Sequence, residues 1–237
     1  LQSEESVAWT VHDFLDPLDQ RVPVDIEGRT VQIRAWRYLV KGMSGHVVPV
    51  YLLDSDLPEN SPFDRSITDS LYGGDAYYRL CQEVVLGFGG LAMLRALGYG
   101  TIFRYHLNEG HAALLVPALL EDELASQSHN GEVPPDVIEK VREQCIFTTH
   151  TPVPAGHDQF PAELAHRVLG KRRCDLIEAC QHQGALNMTL LALRGSRYVN
   201  GVAMRHGEVS HSLYPGYPIH SITNGVHAVT WTSPPFQ

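Results

Sequence analysis

Phe147-Thr148-Thr149-His150-Thr151-Pro152-Val153-Pro154-Ala155-Gly156-His157, entered from the apolar pair Cys145-Ile146, is the stretch on which the reading of this chain turns. Three threonines surround a histidine, and the prolines that follow stop a helix from starting there. The pattern predicts a buried strand over 145–149 that empties into a stiff polar loop. In open α/β sheets ligands bind in the crevice outside the carboxyl ends of the strands, because loops line it. Hydroxyls and an imidazole are the donors and acceptors that suit a polyol such as a sugar. A plain turn, whose histidine only caps neighbouring backbone, is the competing explanation of this loop taken alone.

Strands and helices alternate on both sides of it. Residues 1–29 are acidic and weakly patterned, and read as a lead-in helix and loop. Alternation at Val31, Ile33 and Ala35, and again over 46–53, predicts a β-hairpin turning through Lys41–Gly45, with a loop over 54–68. A helical period links Leu80, Val84, Phe88 and Leu91 and ends at Gly98. Further strands are expected at 101–107, 198–202 and 219–223, and helices at 112–124, 134–142 and 186–193. Such alternation is the signature of a parallel sheet with helices on its faces. The domain expectation is therefore a lead-in (1–29), a hairpin with its loop (30–68) and a Rossmann-like α/β domain (69–237).

Composition removes several classes of function. Hydrophobic residues at 43% with 19% charged describe a globular chain. A formal net charge of −9 argues against a nucleic-acid or anionic-membrane partner, which would need clustered cations. Lys171-Arg172-Arg173 is too short to be such a cluster. No apolar run reaches the roughly 20 residues that span a bilayer. The four cysteines lack CxxC spacing, so a reducing cytoplasm is the expected location. A start at Leu1 and an end at Pro234-Pro235-Phe236-Gln237 suggest a piece of something longer.

Two other loops repeat the strand-then-polar pattern. His106-Leu107-Asn108-Glu109-Gly110-His111 has the wrong spacing for a zinc helix and contains a glycine that breaks one, so it reads as a strand end followed by a helix. Thr223-Asn224-Gly225-Val226-His227 does the same after 219–223. Alone each is a turn; three together point to one shared crevice. The run Gly87-Phe88-Gly89-Gly90-Leu91-Ala92 fits a relaxed dinucleotide fingerprint, with Glu109 about 20 residues on. It supports a rival reading as an NAD-dependent oxidoreductase, although one continuous helix explains it equally well. A non-catalytic carbohydrate-binding module is a third reading. No Ser/His/Asp or Cys/His arrangement and no glycosidase acid pair is legible.

Taken in order, YHLNEGH (105–111), FTTHTPVP (147–154), NMTLLAL (187–193), SRYVNGVA (196–203), RHGEV (205–209) and SITNGVH (221–227) closely resemble the α-glucan (glycogen/maltodextrin) phosphorylases, bacterial branch. LYGGD (71–75) and YRLCQE (78–83) resemble that branch too, and the likeness covers nearly all of 30–237. The resemblance implies part of the N-terminal domain of a two-domain, GT-B type glycosyltransferase. Its reaction is retaining transfer of an α-1,4-linked glucosyl unit from glucan to inorganic phosphate. Pyridoxal phosphate is the implied cofactor, with its Schiff-base lysine and the phosphate-holding cations beyond Gln237. By position His150 corresponds to the histidine that contacts the glucosyl 6-hydroxyl and turns its carbonyl toward the developing cation. Asn224 corresponds to a second hydroxyl contact, Val199 to an apolar contact, and Glu109 with His111 to an acid-x-His pair at the rim. The 237-residue piece alone is expected to hold no cofactor and to be inactive. Chain-length preference and whether the parent is a homo-oligomer are left open, and no counterpart of a regulatory phosphorylation site is visible.

Overall fold

A computed structural model describes residues 10–71, 73–127, 133–153, 156–177, 181–182, 184–227, 231–233 and 235. Parts of the LYGGD and FTTHTPVP motifs, at Tyr72 and Pro154, lie outside the described residues. The chain forms two compact units: Leu1–Thr101 with Leu164–Lys171, and Ile102–Glu163 with Arg172–Gln237. The antiparallel and parallel sheets are thus divided at 101/102, and the helical residues 76–96 stay with the hairpin.

In the first unit β1 (Asp16–Ile26), β2 (Arg29–Lys41) and β3 (Val47–Asp54) make an antiparallel sheet in that order. The expected hairpin is β2–β3, with Arg34 opposite Asp54 and Lys41 opposite Val47. The expected lead-in helix and loop is corrected: β1 fills most of it, after one 3₁₀ turn at Val11–Asp13. Pro17 and Pro23 disguise this strand in the sequence, yet an edge strand tolerates proline because half its N–H groups have no ladder partner. Val22, Val24 and Ile26 alternate inward and meet Val31, Ile33 and Ala35 of β2, all at most 5% exposed. Each large aliphatic side chain buried this way contributes about 1.5–3 kcal/mol.

The loop over 54–68 contains a short helix, α1 (Pro62–Arg65), whose Ser61 Oγ accepts from the Asp64 amide. Asp75 caps α2 (Ala76–Val84) by accepting from the Tyr78 amide. The chain then runs through a π-helical stretch, Val85–Gly89, into α3 (Gly90–Ala96). Residues 83–86 are therefore helix, and the strand that a dinucleotide fingerprint needs is absent from the segment. Gly89 serves packing instead: a Cβ there would lie 3.1 Å from Val24 Cγ2.

The second unit contains β4 (Tyr105–Asn108), α4 (Leu115–Gln127), α5 (Pro135–Gln144), β5 (Cys145–Thr149), β6 (Gln159–Pro161), α6 (Ala162–Leu176), β7 (Gln181–His182), β8 (Ala185–Asn187), α7 (Met188–Arg194), β9 (Tyr198–Gly201), α8 (Met204–Leu213) and β10 (His220–Ser221). Residues 164–171 of α6 cluster with the first unit, and Gly170, at φ 76°, interrupts that helix. The expected parallel sheet is present, ordered β10-β9-β5-β4. The small antiparallel sheet β6-β8-β7 was not anticipated. Its middle strand takes the first residues of the stretch 186–193 expected to be helical, and α7 takes the rest.

The parallel chain moves one strand at a time in a single direction. Right-handed crossovers, the near-universal sense, then place the connecting helices on one face. The register agrees: Leu107, Phe147 and Val199 form one row, each at most 4% exposed. On the opposite face Asn108, Thr148, Asn200 and His220 form a polar row. Because all four strands are parallel, β4, β5, β9 and β10 all end at the same edge. Among the described residues no helix is long and apolar enough to cross a membrane.

Candidate functional site

The exits of the parallel strands carry the candidate residues. The Glu109 amide still follows the ladder, donating to the Thr148 carbonyl at 2.9 Å. Its backbone then turns to φ 70°, ψ 170°, a region that residues other than glycine occupy at a cost of about 1–3 kcal/mol. The turn brings the carboxylate across to the exit of β5. Oε2 accepts from the His150 amide at 2.7 Å and from Thr151 Oγ1 at 3.0 Å, while Oε1 accepts from the Gly110 amide at 3.0 Å. Glu109 and His150, 41 residues apart, thus meet directly.

The far end of the same loop is held by a second set of contacts. A carboxylate can only accept, so His111 donates through Nδ1 to Asp158 Oδ2 at 3.0 Å. The Asp158 carbonyl in turn receives the Met188 amide at 3.1 Å, tying the loop to the start of α7. His157 pairs through Nδ1 with Thr189 Oγ1 at 2.8 Å and sets its ring edge-on to Tyr214. Burial pushes the His157 imidazole below the ordinary histidine range; Glu109 opposes that push, and His206 adds to it. Burial likewise raises the Tyr214 phenol, against hydrogen bonds from Thr189 and Asn187 that lower it.

On the polar face, His106 Nε2 lies 2.6 Å from Thr148 Oγ1, which donates to Asn200 Oδ1 at 3.1 Å. With its hydrogen spent on Asn200, Thr148 accepts from the imidazole, which fixes that tautomer. His106 and His111 are therefore engaged with different partners. Across the sheet, the His206 ring of α8 packs against Gly201, where a Cβ would collide with Nδ1. Among the described residues, the buried Thr149 Oγ1, both His206 nitrogens and Ser210 Oγ have no hydrogen-bond partner. Unpaired buried polar atoms are costly, and Thr149 ends β5 while His206 packs on Gly201 at the end of β9.

Asn224 leaves the same edge from β10. Its amide donates to the Val202 carbonyl at 3.0 Å, after the Ile222 amide has bonded to Gly201. His150 and Asn224 are both exposed, on the exits of β5 and β10, which β9 separates. At about 4.8 Å per strand that separation is about 10 Å, a span suited to one pyranose with its hydroxyls. Val199 stands apart from this group: at 4% exposure it is a core residue in the row with Phe147. The roles of Asp158 and Thr189 went unnoticed in the sequence, because no local spacing links them to His111 and His157, 47 and 32 residues away. Burial pushes the Cys145 thiol up to about 12, which removes it as a nucleophile.

The matches to known proteins now bear on this edge. No protein-family model matches the chain. It is 39% identical over 225 residues to the maltodextrin phosphorylase of Thermococcus litoralis, which covers 89% of this chain and 26% of that protein. It is 37% identical over 217 residues to the glycogen phosphorylase of Mycobacterium tuberculosis, across 79% of this chain and 25% of that protein. A glycogen phosphorylase of Aquifex aeolicus is 33% identical over 199 residues, across 77% of this chain and 28% of that protein. The class is thus an α/β chain homologous to glucan phosphorylases. In particular, it matches a piece of a glycogen or maltodextrin phosphorylase, spanning about a quarter of the length of these relatives.

Proposed function

We propose that this chain is the sugar-side portion of an α-1,4-glucan phosphorylase that transfers a terminal glucosyl unit from glycogen or maltodextrin to inorganic phosphate, with retention. One observation supports it most: in a homologue of such enzymes, the loops after β4, β5 and β10 leave one edge of one sheet, with Glu109 joined to the His150 amide. His150 contacts the glucosyl hydroxymethyl group and presents its carbonyl to the positive charge that builds at the anomeric carbon. Asn224 contacts another hydroxyl of the same ring. A missing partner at a recognised hydroxyl costs about 1–3 kcal/mol, which is how such a site selects its sugar.

Pyridoxal phosphate supplies a phosphate group for proton transfer to and from the substrate phosphate in this class. The residues present here do not suit its imine. The three lysines are exposed at 41, 140 and 171, and Lys140 is paired with Glu123 at 2.5 Å. No step is therefore assigned to the cofactor through this chain, and the cations that hold phosphate are also sought elsewhere. On this reading the intact protein acts in the cytoplasm, and the 237-residue segment by itself releases no glucose 1-phosphate.

The test is glucose 1-phosphate release from maltoheptaose and inorganic phosphate by the intact protein, with and without His150→Ala. His150→Ala keeps the backbone carbonyl and removes the imidazole contact to the hydroxymethyl group, so an enzyme loses turnover by about 5–150-fold, the equivalent of about 1–3 kcal/mol. A carbohydrate-binding module would bind the glucan, release nothing, and lose only affinity. That outcome would overturn the proposal.

A further inference from the structure

Glu109 sits in a backbone region that favours glycine, yet its carboxylate reaches the exit of β5. Its two oxygens hold three donors: its own neighbour Gly110, the His150 amide and the Thr151 hydroxyl. Two of these belong to the loop that carries the proposed sugar contact. A side chain meant mainly for a hydroxyl of the ligand would keep an oxygen turned outward, whereas here the better-occupied oxygen is spent on the loop.

We infer that Glu109 is a positioning residue: its carboxylate clamps the peptide between Thr149 and His150, and so fixes the direction of the His150 carbonyl and ring. This rests on the reading of His150 as the glucosyl contact, but the clamp itself is a property of two loops. The φ of 70° explains why the clamp needs a strained residue. With an ordinary negative φ the side chain would continue along the β4 face and miss the exit of β5. The strain persists because the Glu109 amide remains tied to Thr148 on one side and the carboxylate to His150 on the other. Glutamine at this position keeps the shape but has a single acceptor oxygen, so it can serve Gly110 or His150 and not both. Glycine keeps the backbone turn without strain and has no acceptor.

The experiment uses the intact protein with Glu109→Gln and Glu109→Gly. Amide hydrogen exchange at His150, kcat and KM for phosphorolysis, and thermal stability are measured together. The clamp predicts His150 exchange at least 10-fold faster in Glu109→Gly, and no faster than that in Glu109→Gln, whose oxygen can still accept from His150. For Glu109→Gly it predicts kcat at least 10-fold lower with KM within threefold. It also predicts that Glu109→Gly melts no lower than Glu109→Gln. Unchanged exchange in Glu109→Gly would overturn the clamp. So would a raised KM with kcat intact, the signature of a direct sugar contact. If the wild-type protein shows no phosphorolysis, the proposed function fails while the exchange rates still decide the clamp.

Discussion

Two carboxylates of the first unit and three polar side chains of the second are buried in contrasting ways. In the first, the buried Asp64 and the half-buried Asp54 each meet a matched partner. Arg29 reaches Asp64 with two nitrogens, the shorter contact at 2.7 Å, and Arg34 reaches Asp54 at 2.6 Å while Trp36 Nε1 donates to the same carboxylate. Burial alone would raise the Asp64 and Asp54 carboxyls, and these donors outweigh it and hold both below the ordinary range. In the second unit, Thr149, His206 and Ser210 are buried at the sheet's carboxyl edge without partners, and a glutamate holds a strained turn. Unsatisfied polar atoms and a strained turn at the strand exits are what a surface completed by a ligand would show.

That contrast can be broken first at the core beneath the site. Phe147→Ala empties a fully buried position between Leu107 and Val199 and should cost about 3–5 kcal/mol, measured by denaturant unfolding. A cost under 1 kcal/mol would mean that the parallel sheet does not carry the second unit. Next comes the satisfied pair. Arg29→Ala strands Asp64, whose side chain is 4% exposed, and should cost about 1–3 kcal/mol, reduced from the fully buried case because Arg29 is partly open to water.

The same pair gives a pH dependence whose sign is defined. The folded-state pKa of Asp64 is below its unfolded value, so its contribution is present above about pH 4 and is lost as pH falls through the folded value. Unfolding free energy followed from pH 5 to pH 2 should decline less steeply in Asp64→Asn. His157 gives the smallest effect. Its folded pKa is also lowered, so stability is full above about pH 6.5 and declines as pH falls below it, since the unfolded chain binds the proton first. His157→Gln should lack that decline between pH 7 and pH 5; an identical decline would assign it to another group.

Much of the second unit is legible in the sequence because parallel strands buried on one face read as short apolar runs. The strand over 145–149 stands where Cys145 to Thr149 predict it, and the exits of β4 and β10 follow the same logic. What the sequence conceals is either non-local or disguised. Pro17 and Pro23 mask β1, an edge strand with room for both. The glycines at 87 and 89 imitate a phosphate-binding turn, while Gly89 lets its helix approach β1. Val199 shares a motif with the polar exit of β9 but points into the core two residues before it. Asp158 and Glu109 find their partners only after the sheet is assembled, so no window along the chain displays them.

The most direct measurement is a crystal structure of the intact protein with maltoheptaose bound. The account predicts the His150 imidazole and the Asn224 carboxamide each within hydrogen-bond distance of hydroxyls on one and the same glucosyl ring. A ring that touches only one of them, or a glucan seated away from the exits of β5 and β10, would contradict it.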